Sequence, residues 1–149
     1  MKNILIYFAR FLFFAILGFL SYQFFMQISV NQLIARKIET VFLKLSGQFE
    51  QRFMFALIIG IIPVLYLIVK KSTKIKSNFQ MLFVYLNIII FGIIFWQFRI
   101  YSVIYIASDC INTTLVISRL NLNFWIFIGL IIGTITSIFI LIFINKNKT

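Results

Sequence analysis

The chain has 149 residues, of which 62% are apolar and 11% charged, with a mean hydropathy of +1.07. A soluble domain carries about 25% charged residues, and one of this length could not cover so much apolar surface, so the bilayer must be its solvent. The net charge of +11 would suggest nucleic acid in a soluble protein, but here the basic residues lie in short segments between apolar runs. There they set orientation and meet anionic headgroups, and nucleic-acid binding is set aside.

The first run spans Ile4 to Val30, with Arg10 near its start. Phe11 to Val30 is long enough to cross a membrane, and the long stem of Arg10 carries its guanidinium back to the headgroups. The length of this run, about twice the apolar core of a signal peptide, makes it a span rather than a leader. Gln23 and Gln27 lie four apart near the far end, on one helical face. Two roles suit them: the membrane interface, or a hydrogen bond to a neighbouring helix.

Asn31 to Arg52 has a period of its own. Ile34, Ile38, Val41, Phe42, Leu45 and Phe49 fall on one helical face, and Arg36, Glu39, Thr40 and Lys44 on the others. This pattern predicts an amphipathic helix lying in the interface between the first two spans, loosened or ended by Gly47. It would pack on the protein's own spans or dock a partner.

Phe53 to Val69 is the second span, at the short limit of length. Ala56 and Gly60 form a small-xxx-small pair for close helix packing. Pro63, the only proline, removes one backbone hydrogen bond and predicts a kink near residue 59. The segment 70–76 then holds four lysines and no acid. Ser77 or Asn78 is placed to cap the third span, Phe79 to Phe98, which carries Asn87 near its middle. The apolar stretch after Arg99 reads as an extension of that helix. A fifth span over 100–117 is disfavoured by Asp109, whose burial would cost a few kcal/mol.

The fourth span, Phe124 to Ile144, runs twenty-one residues without a charge. Its Gly129, Gly133 and Ser137 are spaced by four and form a flat strip on one face, where another helix can come close. These residues, with Ala56 and Gly60, are the candidate helix-packing and partner contacts. No internal repeat of the kind that marks a duplicated transporter half is evident at this level.

With four spans, the N-terminus, the second connection and the C-terminus share one side with eight Lys and Arg, against six on the other. The short, lysine-dense second connection places both termini in the cytoplasm. All three acids, Glu39, Glu50 and Asp109, then lie outside, where Arg52, Arg99 and Arg119 can pair with them. Heavy use of Ile, Phe, Asn and Lys with little Ala suggests an AT-rich genome. The expected location is a bacterial inner membrane, or alternatively an organelle inner membrane.

The absence of histidine removes the usual haem and zinc ligation and imidazole acid–base chemistry. Cys110 beside Asp109 has a cation within reach but no group to shuttle its proton, so it reads as an ordinary small residue. Gly129-x-x-x-Gly133 lies in apolar surroundings and is a packing motif rather than a phosphate loop. Neither catalytic, cofactor nor metal residues are assigned.

The expectation is therefore an all-α integral membrane protein, a single polytopic domain over 1–149. It has four transmembrane helices, about 11–30, 53–69, 79–98 and 124–144, and an interfacial helix between spans 1 and 2. The expected function is that of a non-catalytic accessory or structural subunit of a larger membrane complex. Its partners would be lipid and other integral membrane subunits. The alternative is a small homo-oligomeric transporter or channel, with Asn87, the glutamines and Tyr85 along a path and Pro63 as a hinge. An integral membrane enzyme built on Asp109, Cys110 and an arginine is a more distant third.

Overall fold

A computed structural model describes residues 2–36, 39–41, 45–73, 75, 77–108, 114–116 and 120–146. The elements in chain order are α1 (Lys2–Ile34), β1 (Glu39–Val41), α2 (Leu45–Gly60), α3 (Ile62–Thr73), α4 (Asn78–Ser108), β2 (Thr114–Val116) and α5 (Leu122–Lys146). The fold is all-α but for the two three-residue strands, and α2 and α3 together make one crossing. Four apolar helical stretches are long enough to cross a membrane: Leu5–Ile34, Gly47–Thr73, Asn78–Ile106 and Leu122–Lys146.

These stretches are helical because in hydrocarbon each backbone N–H and C=O must find its partner within the segment. Their ends carry local reasons. Ser77 Oγ accepts a hydrogen bond from the Gln80 amide at 3.2 Å, capping the start of α4. At the start of α5, the Asn121 carbonyl accepts from the Phe124 and Trp125 amides. Asn121 itself takes a positive φ of 49°, a conformation asparagine tolerates better than most residues.

The second crossing is interrupted at Ile61, between Gly60 and Ile62. Pro63 sits in the first turn of α3, where its missing N–H costs least. The break falls two residues after the expected position. Val64 and Leu65 both donate to the Ile61 carbonyl, at 2.8 and 3.0 Å, so the helix restarts at once.

The amphipathic helix expected over 31–52 is not formed as a unit. Asn31–Ile34 completes α1, Glu39–Val41 is a strand, and Leu45 onwards belongs to α2. Residues 37, 38 and 42–44 of that stretch lie outside the described residues, as does most of the connection 109–119. The strand pairs in parallel with β2, Glu39 opposite Thr114 and Val41 opposite Val116. Pairing with residues so distant in sequence is invisible to a local helical period.

Two antiparallel hairpins result. In the first, Gly18 of α1 faces Ala56 and Ile59 of α2, while Gly60 faces Phe11 and Ala15. In the second, Gly92 of α4 faces Leu130 and Ile126 of α5, while Gly133 faces Ile88 and Asn87. The hairpins associate side by side. The α2–α3 crossing runs parallel to α5, because Gln51 meets Asn123 at one end and Thr73 meets Asn145 at the other. Likewise α1 runs parallel to α4, with Phe14 stacked on Tyr85 and Phe25 edge-on to Trp96. The end bearing β1 and β2 is called the strand end below, and the end bearing Lys70, Lys71 and Lys146 the lysine end.

Candidate functional site

The polar chemistry inside the membrane begins with serine and threonine. Their hydroxyls satisfy themselves on carbonyls one turn back: Ser29 on Phe25 at 2.8 Å, Thr134 on Leu130 at 2.8 Å and Ser137 on Gly133 at 2.7 Å. This back-bonding lets a small polar residue sit in a span without an orphan donor. The hydroxyl oxygens keep lone pairs, and Asn87 uses them. Its Nδ2 donates to Gly133 O at 3.0 Å, Thr136 Oγ1 at 2.9 Å and Ser137 Oγ at 2.8 Å, two protons shared among three acceptors.

Asn87 reaches these acceptors only because the strip of small residues brings α5 against α4. A Cβ built on Gly129 would lie 2.5 Å from Phe91 O and 2.9 Å from Gly92 Cα. One built on Gly133 would lie 2.8 Å from Ile88 Cα. Both clashes are with backbone, so at this closeness only glycine fits. Ser137, fully buried, completes the strip. Gly129, Gly133, Ser137 and Asn87 thus form one seam within the chain. Ala56 and Gly60 form the matching seam between α1 and α2, and the surfaces singled out from the sequence as partner contacts are covered internally.

Asn87→Leu is expected to lower stability by about 1 kcal/mol, the usual size of an interhelical hydrogen bond in a membrane. Equilibrium unfolding in mixed detergent and dodecyl sulfate, followed by circular dichroism, measures this. No change in the midpoint would mean that the bonds contribute nothing.

At the strand end, the arginines bond to carbonyls. Arg52 Nε donates to Phe19 O at 2.8 Å, with its guanidinium 4.0 Å above the Phe19 ring. Arg99 Nε donates to Leu120 O at 2.9 Å, and its guanidinium lies over Trp125 at 5.9 Å. The cation–π contact and the carbonyl together hold each charge at the helix ends, near the headgroups. Arg99 also donates from a terminal nitrogen to Ser102 Oγ at 3.4 Å. Asp109, Cys110 and Arg119 lie outside the described residues, so the enzyme constellation is not placed.

Contacts between the hairpins combine polar ends with an aromatic middle. Asn123 Nδ2 donates to both Gln51 O and Gln51 Oε1 at 3.0 Å, and Asn145 Nδ2 donates to Thr73 O at 2.8 Å. Trp96 Nε1 donates to Ser29 Oγ at 3.1 Å, and Tyr66 stacks on Tyr85 at 4.6 Å. The gap left between the hairpins is small, about 60 Å³, and lined wholly by apolar residues and Gly92. A larger cavity, about 330 Å³, lies on the first hairpin near its strand end, lined by Tyr22, Gln23, Met26, Gln27, Val30 and Gln48.

The two hairpins also correspond in sequence, although no repeat is evident from the sequence alone. Gly18–Phe24 reads GFLSYQF, and Gly92–Phe98, 74 positions later, reads GIIFWQF. Ala56–Ile62 reads ALIIGII, and Gly129–Ile135, 73 positions later, reads GLIIGTI. These segments occupy the same places. Gly18 meets Ala56 in one hairpin as Gly92 meets Gly129 in the other. The strand pairs keep nearly the same interval, Glu39 with Thr114. The signal was present as two ungapped matches at almost one spacing, but runs of Ile, Leu and Phe hide such matches among many chance ones.

Compared with protein families, characterised proteins and solved structures, the chain has no match.

Proposed function

We propose that this chain is a non-catalytic accessory subunit of a larger membrane assembly, with other integral membrane subunits as its partners. The observation that carries the reading is the poor cover of α1. Only 11% of its most apolar stretch is buried within the chain, against 39% for α5 and 44% for the α2–α3 crossing. Phe8, Phe13, Leu20 and Phe24 of α1 remain exposed, a broad apolar face suited to lipid or to a neighbouring helix.

The interior supports the same reading. Asn87 is turned onto its own seam, and the gap between the hairpins is apolar, so neither offers a polar path across the membrane. The transporter alternative needs such a path and has less support. The location proposed is a bacterial inner membrane with both termini cytoplasmic, from the lysines at the ends of α3 and α5.

The test is purification from the native host in mild detergent, with a photo-crosslinking residue at Phe8 or Phe13. A fixed set of partners at constant ratio, cross-linked through α1, is expected. A homo-oligomer lacking other subunits would sink this reading and favour the transporter, to be followed by flux measurements on Asn87 variants.

A further inference from the structure

The repeat supplies an internal comparison. The matching small residues, Gly18 with Ala56 and Gly92 with Gly129, build the common seam. Where the hairpins differ at equivalent places, the difference belongs to one hairpin alone. The cavity on the first hairpin is such a difference. At a 74-residue spacing, Met26 corresponds to Ile100 and Gln27 to Tyr101. On the second hairpin Ile100 is 1% exposed and packs in the core with Val103, Leu120 and Leu122. There the position of Met26 is taken by a side chain buried in the core, whereas on the first hairpin Met26 lines an open space of about 330 Å³.

The lining has a distinct chemistry. Gln23, Gln27 and Gln48 surround the space with Tyr22, Met26 and Val30. Gln23 and Gln27 are exposed on the perimeter of the bundle, beside the exposed Leu20 and Phe24, and form no hydrogen bond within the described residues. Primary amides both donate and accept, which suits hydroxyl groups. Arg52 adds a cation near this space: on α2 it lies one turn after Gln48, which lines the space, and its guanidinium sits over Phe19, one turn before Tyr22 and Gln23 on α1. Its single bond within the described residues uses Nε, leaving the terminal nitrogens for a phosphate. All of this sits at the strand end, where the polar ends of the spans mark the headgroup layer.

We infer that this cavity binds the head of an anionic, hydroxyl-bearing phospholipid, with Arg52 on the phosphate and the Gln23 and Gln27 amides on the head hydroxyls. The acyl chains lie along the apolar face of α1 through Leu20 and Phe24. A lipid is favoured over a soluble ligand because the space opens on the membrane-facing perimeter.

Native mass spectrometry of the full chain, released from detergent after incubation with lipid, tests this. The probes are phosphatidylglycerol and phosphatidylcholine with identical acyl chains. Wild type is expected to retain phosphatidylglycerol at least tenfold better. The variant Gln23→Leu/Gln27→Leu, altered at exposed positions, is expected to lose that preference. Gln97→Leu, at the equivalent place on the second hairpin, is expected to keep it. Equal retention of both lipids by wild type would overturn the inference, as would an unchanged preference in the double variant. Loss of preference in Gln97→Leu would show a general effect of apolar substitution and also overturn it. Displacement of the lipid by equimolar glycerol phosphate would point to a soluble ligand instead.

Discussion

Gly129→Ala is expected to destabilise the protein by about 2 kcal/mol, and Gly92→Ala by almost nothing, although the two glycines face each other. Both substitutions gain roughly 1 kcal/mol of helix propensity. What differs is the neighbour. The new Cβ at 129 meets Phe91 O at 2.5 Å, Gly92 Cα at 2.9 Å and Phe91 C at 2.9 Å, all backbone, so α4 and α5 must separate. Overpacking of that kind costs about 1–3 kcal/mol and sometimes more, and here it stretches the three Asn87 bonds as well. The new Cβ at 92 meets the end of a side chain, Leu130 Cδ2, at 2.9 Å, with the next atoms at 3.6 and 3.9 Å. A small rotation of Leu130 relieves it. Unfolding midpoints of the two variants in the same detergent series decide the matter. Equal loss for both would mean that the seam is looser than its geometry indicates.

Trp96→Ala is expected to cost about 3 kcal/mol, the lower end of the range for deleting a buried aromatic. In lipid the transfer term is small, so the loss comes mainly from packing and from the cavity left behind. Trp96 is 4% exposed, lies 5.0 Å from the Phe25 ring and donates to Ser29 Oγ. It is therefore one of two aromatic links between the hairpins, the other being Tyr85 with Phe14 and Tyr66. Trp96→Phe keeps an aromatic ring but loses the N–H and part of the indole's volume, and is expected to cost about 1–2 kcal/mol. Ser29 keeps its own bond to Phe25 O in either variant, so no donor is orphaned. Circular dichroism during unfolding measures both. The alanine variant is also expected to unfold in two steps, each hairpin holding its own seam after the pair has come apart. A single step with an unchanged midpoint would show that Trp96 does not join the halves.

Both predictions depend on which residues face each other, and that information was unevenly available. The four crossings were legible because a bilayer permits so few solutions. An apolar run of about twenty residues must close its backbone bonds within itself. The small-residue strips were legible too, since spacing by four places residues on one helical face. Their partners were not, because spacing along one helix carries no information about the other. The interfacial helix failed for a related reason. Its apparent period crossed the last turn of α1, a strand and the first turn of α2. The Ala35 amide still bonds the Asn31 carbonyl at 3.0 Å, so the first helix runs on beyond the expected boundary.

By itself the sequence determined the solvent, the number of crossings, the position of Pro63 and the faces where helices can approach closely. These follow from composition and from periods of three to four residues, which are local properties. Tertiary structure alone decided that the glycine strips close on helices of the same chain, that Asn87 bonds across the second seam, and that two corresponding hairpins lie in parallel. It also decided that Ile100 is buried near the strand end of one hairpin while Met26, at the equivalent place on the other, lines a glutamine-rich space. Each of these depends on contacts between residues 20 to more than 70 positions apart. Such pairings are selected by shape and by hydrogen-bond satisfaction between whole elements, which a local pattern does not encode.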